Sequence, residues 1–235
     1  MKKLTKRIKV IQEGSDNTKS RSLKDAIDIL KKAPKLKFDE TVDIAFKLTV
    51  DPKQSQSASI RGTVSLPHGT GKKIKVAVFC KGEEEKRAKD AGADFVGSDD
   101  LVAKVQGGWS DFDVAIATPD MMKDMARLGK ILGPRGLMPN PKSGTVTQDT
   151  AKTVKEVKAG KIEFKMDKQA GIHAPLGKLS FPESALIENA RSLIDAIMTT
   201  TPQGGSPVWQ NVKSIYISTT MGAGIKLEPS EFKKA

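Results

Sequence analysis

Three clusters in this sequence hold residue types suited to gripping a polyanion. Lys35-Leu-Lys-Phe-Asp-Glu40 sets an aromatic between bases. The bases suit phosphate contact and the ring suits stacking on sugar or base, although Phe38 could equally be a core residue. Ser218-Thr-Thr-Met-Gly-Ala-Gly224 is small and rich in hydroxyls. It either lets a nucleic-acid backbone approach closely, with hydroxyls and amides donating to phosphate, or forms a tight β-turn. Leu128–Val146 holds Gly129, Gly133, Gly136 and Gly144, Pro134, Pro139 and Pro141, and the bases Lys130, Arg135 and Lys142, with no acid. Such a run is expected to be a stiff, basic, partner-facing loop without regular helix, or a plain surface connection.

Other chemistries find little support. One cysteine and two histidines, His68 and His173, do not make a four-ligand zinc cluster. Gly69-Thr-Gly-Lys72 resembles a phosphate loop but precedes an apolar run, whereas the dinucleotide fingerprint follows a strand. Gly133-Pro-Arg-Gly136 lacks the Gly-Lys-Ser/Thr ending of a P-loop. Asp111 and Asp113 read as solvated or capping, and Glu83-Glu-Glu85 as a helix N-terminus that complements the dipole. His173 is either structural or a contact to the polyanion. No cofactor is expected. A nucleotide- or phosphate-binding enzyme built on the middle of the chain is the alternative reading.

The charge points to the same partner. The chain has 235 residues and a formal net charge of +12. Residues 1–37 carry twelve bases against four acids, whereas residues 69–159 carry sixteen against thirteen. Lysines and arginines release counterions from phosphate backbones, so a nucleic acid is the expected partner. No segment reaches the roughly 20 apolar residues of a membrane span. The charged start has no apolar stretch of the secretory kind. A lone Cys80, at the end of Ile74-Lys-Val-Ala-Val-Phe79, reads as a buried hydrophobe in a reducing cytoplasm.

The elements that must position these clusters change style twice. Residues 1–20 read as a loosely held basic arm or a frayed helix. Ser22-Leu-Lys-Asp25 opens a helix that Pro34 ends. In Thr41–Val50, the residues Val42, Ile44, Phe46, Leu48 and Val50 alternate with polar ones, the mark of a strand with one covered face. Ser59–Leu66 reads the same way. From Ile74 the pattern turns to short apolar runs, Ile74–Cys80 and Asp113–Thr118, separated by helices at Glu83–Ala91, Asp99–Val105 and Pro119–Leu132, with a short strand at Ala93–Val96. Such alternation predicts a parallel sheet covered on both faces. A helix over Asp149–Ala159 follows. Alternation returns at Lys161–Met166 and Val212–Thr220, around an amphipathic helix at Pro182–Thr200. The reading is α+β and α/β in two domains. A discontinuous outer α+β domain with an antiparallel sheet spans 1–67 and 160–235. An inserted Rossmann-like parallel α/β domain spans 68–159. A single mixed domain is the rival.

Nearly end to end, the sequence resembles the bacterial ribosomal protein L-one family, the first-numbered proteins of the large subunit. The matching stretches include Lys37-Phe-Asp-Glu-Thr-Val42, Arg61-Gly-Thr-Val-Ser-Leu-Pro-His-Gly69, Ala91-Gly-Ala-Asp-Phe-Val-Gly97, Trp109-Ser-Asp-Phe-Asp113, Leu128–Val146, Lys158-Ala-Gly-Lys-Ile-Glu-Phe164, His173-Ala-Pro175 and Thr219-Thr-Met-Gly222. Met166 and Gln169-Ala170 depart from the family pattern. The resemblance implies a monomer in the cytoplasmic ribosome, on the mobile stalk beside the tRNA exit site. It implies binding to 23S rRNA, contact with departing tRNA and repression of its own operon mRNA, with no membrane. It carries rRNA contact onto Lys37, Phe38, Lys47, Lys165, Asp167, Lys168, His173, Thr219, Thr220, Met221 and Gly222. A secondary contact through Lys130, Arg135 and Lys142, or interdomain packing, is left to the Leu128–Val146 loop.

Overall fold

The computed structural model describes residues 20–34, 36–49, 60–200 and 211–232. The basic arm up to residue 19, Lys35, Val50 and Ser59 lie outside them. The chain forms two compact units, one from Met1–Gly71 with Ile162–Ala235 and one from Lys72–Lys161.

In the split unit, helix α1 (Leu23–Lys32) starts where Ser22, in extended backbone, accepts the Asp25 N–H at 3.2 Å. The Asp25 carboxylate takes the Ser22 hydroxyl at 2.7 Å. A glutamate would reach on to the Ser22 amide, and aspartate is one methylene shorter. Strand β1 (Thr41–Leu48) turns Val42, Ile44, Phe46 and Leu48 inward, as its alternation requires. It lies between β7 (Gly171–Lys178) and β8 (Val212–Thr219), antiparallel to both, and β9 (Ile225–Leu227) adds to β8. Leu23, Ile27 and Leu30 of α1 join Leu186, Leu193, Ile194 and Ile197 of α7 (Glu183–Thr199) over that buried face. Each such side chain contributes about 1.5–3 kcal/mol by leaving water.

Strands β2 (Arg61–Ser65) and β6 (Lys161–Lys165) form a separate two-stranded sheet. A Cβ at Gly62 would stand 2.6 Å from the Phe164 ring tip. Only glycine leaves room there for the buried phenyl.

The continuous unit holds a parallel sheet ordered β4 (Phe95–Gly97), β3 (Val76–Phe79), β5 (Val114–Ala117). Ala77 and Phe79 pack under α3 (Asp99–Gln106) and the 119–132 segment, through Leu101, Val105, Met125 and Leu132. Val76, Val78 and Cys80 face the other way, with Ala88 of α2 (Glu83–Asp90) and with Val154 and Val157 of α6 (Thr150–Ala159). Burial on both faces explains the short apolar runs, and the parallel sheet and split antiparallel unit agree with the fold class read from sequence.

The continuous helix expected over Pro119–Leu132 is broken. A 3-10 turn at Pro119–Met121 leads to α4 (Met122–Ala126) and then α5 (Gly129–Leu132). Between the last two, Arg127 and Leu128 donate to carbonyls only three residues back. Met121, Met125, Leu128 and Leu132 stay fully buried through the break, at the spacing that one face of an unbroken helix would also give. The expectation that Leu128–Val146 holds no regular helix fails at its first residues, where α5 covers Gly129–Leu132. Burial of Leu128 and Leu132 outweighs the weak helix propensity of glycine.

Candidate nucleic-acid interface

Three segments meet at one end of the four-stranded sheet. Thr41 pairs with Lys178 across β7, and Val42 with Thr219 across β8. Polar side chains lace the loops beyond those strand ends. The Asp39 carboxylate takes both the amide and the hydroxyl of Ser180, at 3.2 and 2.7 Å. The Thr41 amide donates to the Thr220 hydroxyl at 3.0 Å, and the Thr220 amide to the Thr41 carbonyl at 3.1 Å. Gly222 N–H closes a turn onto the Thr219 carbonyl at 3.1 Å. The β-turn reading of Ser218–Gly224 is therefore realised.

This lacing brings the segments of Lys37 and Phe38 and of Thr220–Gly222 to the same end of the sheet. Phe38 is 52% exposed and Met221 60%. Phe38 is thus a surface ring and the core alternative drops out. Thr219 is different: it is only 4% exposed, and its hydroxyl donates inward to Glu40 at 3.2 Å.

The opposite end of β1 gathers a second group. Lys47 pairs with Gly171 and Ser214, and its ammonium donates to the Gln169 carbonyl in the turn between β6 and β7. That turn displays Asp167 and Lys168 on its surface, and Lys165, the last residue of β6, is exposed beside them. Asp167 shapes it by accepting the amides of Gln169 and Gly171, at 2.8 and 2.6 Å. These bonds, the Gly171 amide first, hold the Asp167 carboxyl below its ordinary value of 3.8, with His173 and Lys47 adding to the effect. The folded value is depressed, so the stabilisation is complete above the ordinary carboxylate range. It is lost as pH falls through the lower folded value. Titrating from pH 5 down to about 2, across the usual aspartate range, is expected to unlock the turn. The Gly171 amide resonance would report it, and Asp167→Asn should flatten that response.

Between the two ends, the uncovered face of the sheet carries His173, Ala45, Tyr216 and Lys226 in one cross-strand row. His173 is exposed, and Tyr216 is 37% exposed. Sequence reasoning passed over Tyr216. The signal was present in Val212–Thr219, because Ile215 and Ile217 face the core and the residue between them must face out. Asp43 lies on the same face, next to the row. Burial pushes its carboxyl up, against the pull of His173 and Lys178.

In the continuous unit Lys130, Arg135 and Lys142 are exposed, and the Arg135 guanidinium reaches the Ser110 hydroxyl. Asn140 caps the 3-10 turn Pro141–Ser143 by accepting the Lys142 amide at 2.9 Å. The carboxyl ends of β3–β5, where open α/β sheets bind phosphate ligands, are acidic instead. Glu83, Asp99, Asp120 and Asp124 lie beyond the strand ends, and Lys81 bridges Asp99 and Asp124 at 3.7 and 3.6 Å. Lys72 of the Gly69–Lys72 segment is bound to Asp113 at 2.5 Å. A phosphate would meet carboxylates at both places. Among the described residues, no group of three His, Cys, Asp or Glu could hold a metal ion.

A family profile described as "Ribosomal protein L1p/L10e family" matches residues 30–223. The chain is 52% identical over 227 residues to the large ribosomal subunit protein uL1 of Protochlamydia amoebophila, covering 97% of this chain and 95% of that protein. It is 53% identical over 231 residues to the protein of that name from Chlamydia abortus, covering 98% of each. The counterpart from Lactobacillus acidophilus is 53% identical over 214 residues, covering 91% of this chain and 92% of that protein.

Proposed function

The chain belongs to the ribosomal protein L1p/L10e family, and from that premise we propose that it binds the stalk element of 23S rRNA, beside the tRNA exit site. A structural, non-enzymatic role in the large ribosomal subunit comes with the family. The finer reading is that it contacts deacylated tRNA as this leaves and represses its own operon by binding a similar element in the mRNA. It acts as one copy in the cytoplasmic ribosome and uses no cofactor.

The observation that carries the reading is the sheet end where Lys37, Phe38, Thr220, Met221 and Gly222 stand together, with Lys47, Lys165 and Lys168 at the opposite end of the sheet and His173 on the exposed face between them. Base and aromatic supply phosphate contact and stacking, and small hydroxyls reach phosphate or 2′-OH. The two ends of β1 are about 23 Å apart at some 3.3 Å per residue, so the surface suits a folded RNA rather than a single nucleotide. Glu40 and Thr219, both buried, shape the turn from within. The exposed Lys130, Arg135 and Lys142 offer a secondary contact to tRNA or rRNA.

A competition assay at physiological salt tests this. Labelled stalk rRNA fragment bound to the full chain should be displaced by unlabelled cognate fragment. A tenfold excess of an unrelated hairpin should leave it in place. Equal displacement by both would make the protein a general basic RNA binder, because the electrostatic part of binding ignores sequence.

A further inference from the structure

Glu40 is 2% exposed and sits directly beneath the turn that the proposed function assigns to RNA contact. We infer that this buried carboxylate is a positioning residue for RNA recognition, fixing Thr219–Gly222 in the shape that RNA meets. The inference rests on the proposed rRNA-binding role.

A carboxylate only accepts hydrogen bonds, and burying one is costly unless donors surround it. One oxygen, Oε1, receives the Thr219 hydroxyl at 3.2 Å and the Met221 amide at 3.0 Å. Two donors from the turn are thus drawn inward to one point. The Met221 side chain remains outside, and Thr220 turns to the Thr41 amide. The base of the carboxylate is itself fixed, because the Glu40 carbonyl accepts the Leu179 amide at 2.8 Å. Phe38 is two residues upstream, so one residue ties the exposed ring's segment to the turn.

Gly222 supplies an independent sign of the same device. A Cβ there would stand 2.3 Å from the Thr219 hydroxyl oxygen. The space above that oxygen is open only to glycine while the hydroxyl stays where Glu40 holds it. Glycine is thus needed to let the turn lie flat over Thr219, besides any room it gives an RNA backbone. A negative charge under an RNA contact opposes phosphate, so its service there is to geometry.

The test uses full-length protein and stalk rRNA fragment at fixed salt, with urea unfolding measured in parallel. Glu40→Ala should weaken binding five- to tenfold at temperatures where it remains folded, and the Met221 amide should lose its exchange protection. Glu40→Gln keeps an acceptor oxygen and should bind within about twofold of wild type. Adding Thr219→Val to Glu40→Ala should cost little more, since both act through one bond. Wild-type affinity of Glu40→Ala with an unprotected Met221 amide would overturn the inference, as would fully additive losses. If Glu40→Ala does not fold, Gly222→Ala serves instead. It should weaken binding, and Thr219→Ala in the same chain should restore part of the loss by removing the hydroxyl. No restoration would overturn the inference. Failure of the wild-type chain to prefer stalk rRNA would reject the rRNA-binding reading itself; wild-type binding that Glu40→Ala leaves unchanged would reject the positioning role alone.

Discussion

Thr220→Leu is expected to bind the stalk rRNA fragment at least tenfold more weakly than the wild-type chain, a loss of about 1.4 kcal/mol or more. The hydroxyl sits at the rim of the sheet, where it accepts the Thr41 amide at 3.0 Å, and its residue is exposed. Leucine removes that polar atom and adds bulk where an RNA backbone must come close. The Thr41 amide is only partly covered, so water can replace the lost bond and folding stability should change by less than about 1 kcal/mol. No charge is removed, so the dependence of affinity on salt should keep its slope. Lys37→Ala should differ on that point, with a shallower slope and a loss shared across all RNAs. Fluorescence anisotropy at several salt concentrations separates the two. Wild-type affinity for Thr220→Leu would remove the turn from the contact surface.

Phe46→Ala should produce the largest stability loss. The ring lies on an inner strand of the sheet, 2% exposed, with Ile172 and Ile215 as its partners on the flanking strands. Removing a phenyl from such a site costs about 3–5 kcal/mol, since the neighbours only partly fill the space. Small domains hold roughly 5–15 kcal/mol in all. The variant should therefore unfold at much lower urea, as followed by circular dichroism. A shift worth less than about 1 kcal/mol would mean that Phe46 is not packed as described.

The two patterns of burial were legible because they are local. Alternation in Thr41–Val50 announced a strand with one covered face, and the apolar runs at Ile74–Cys80 and Asp113–Thr118 announced strands covered on both. The helix start at Ser22 was written in a single side chain, which accepts the expected amide. What stayed hidden was decided at a distance. Glu40 and Thr219 are 179 positions apart, and no window of sequence holds both. The break in 119–132 was equally hidden, because Met121, Met125, Leu128 and Leu132, all buried, recur at the spacing of one face of a continuous helix. Of the contact residues carried over from the family, Phe38 and Met221 stand on the surface while Thr219 is buried. Spacing in the sequence did not distinguish them. Strand β9 is three residues long and carries too little pattern to be read alone.

Cys80, buried behind β3, gives the continuous unit a built-in reporter. It is the chain's single cysteine, and burial, with Glu85 and Glu84 beside it, pushes its thiol up to about 11. Thiolate is the reactive form, so alkylating reagents at neutral pH find neither access nor nucleophile in the closed unit. The rate of labelling then counts excursions in which this sheet parts, residue by residue silent elsewhere. A dye placed on an engineered surface cysteine would meet almost no background, and the native protein already holds a chemical stopwatch for its own opening.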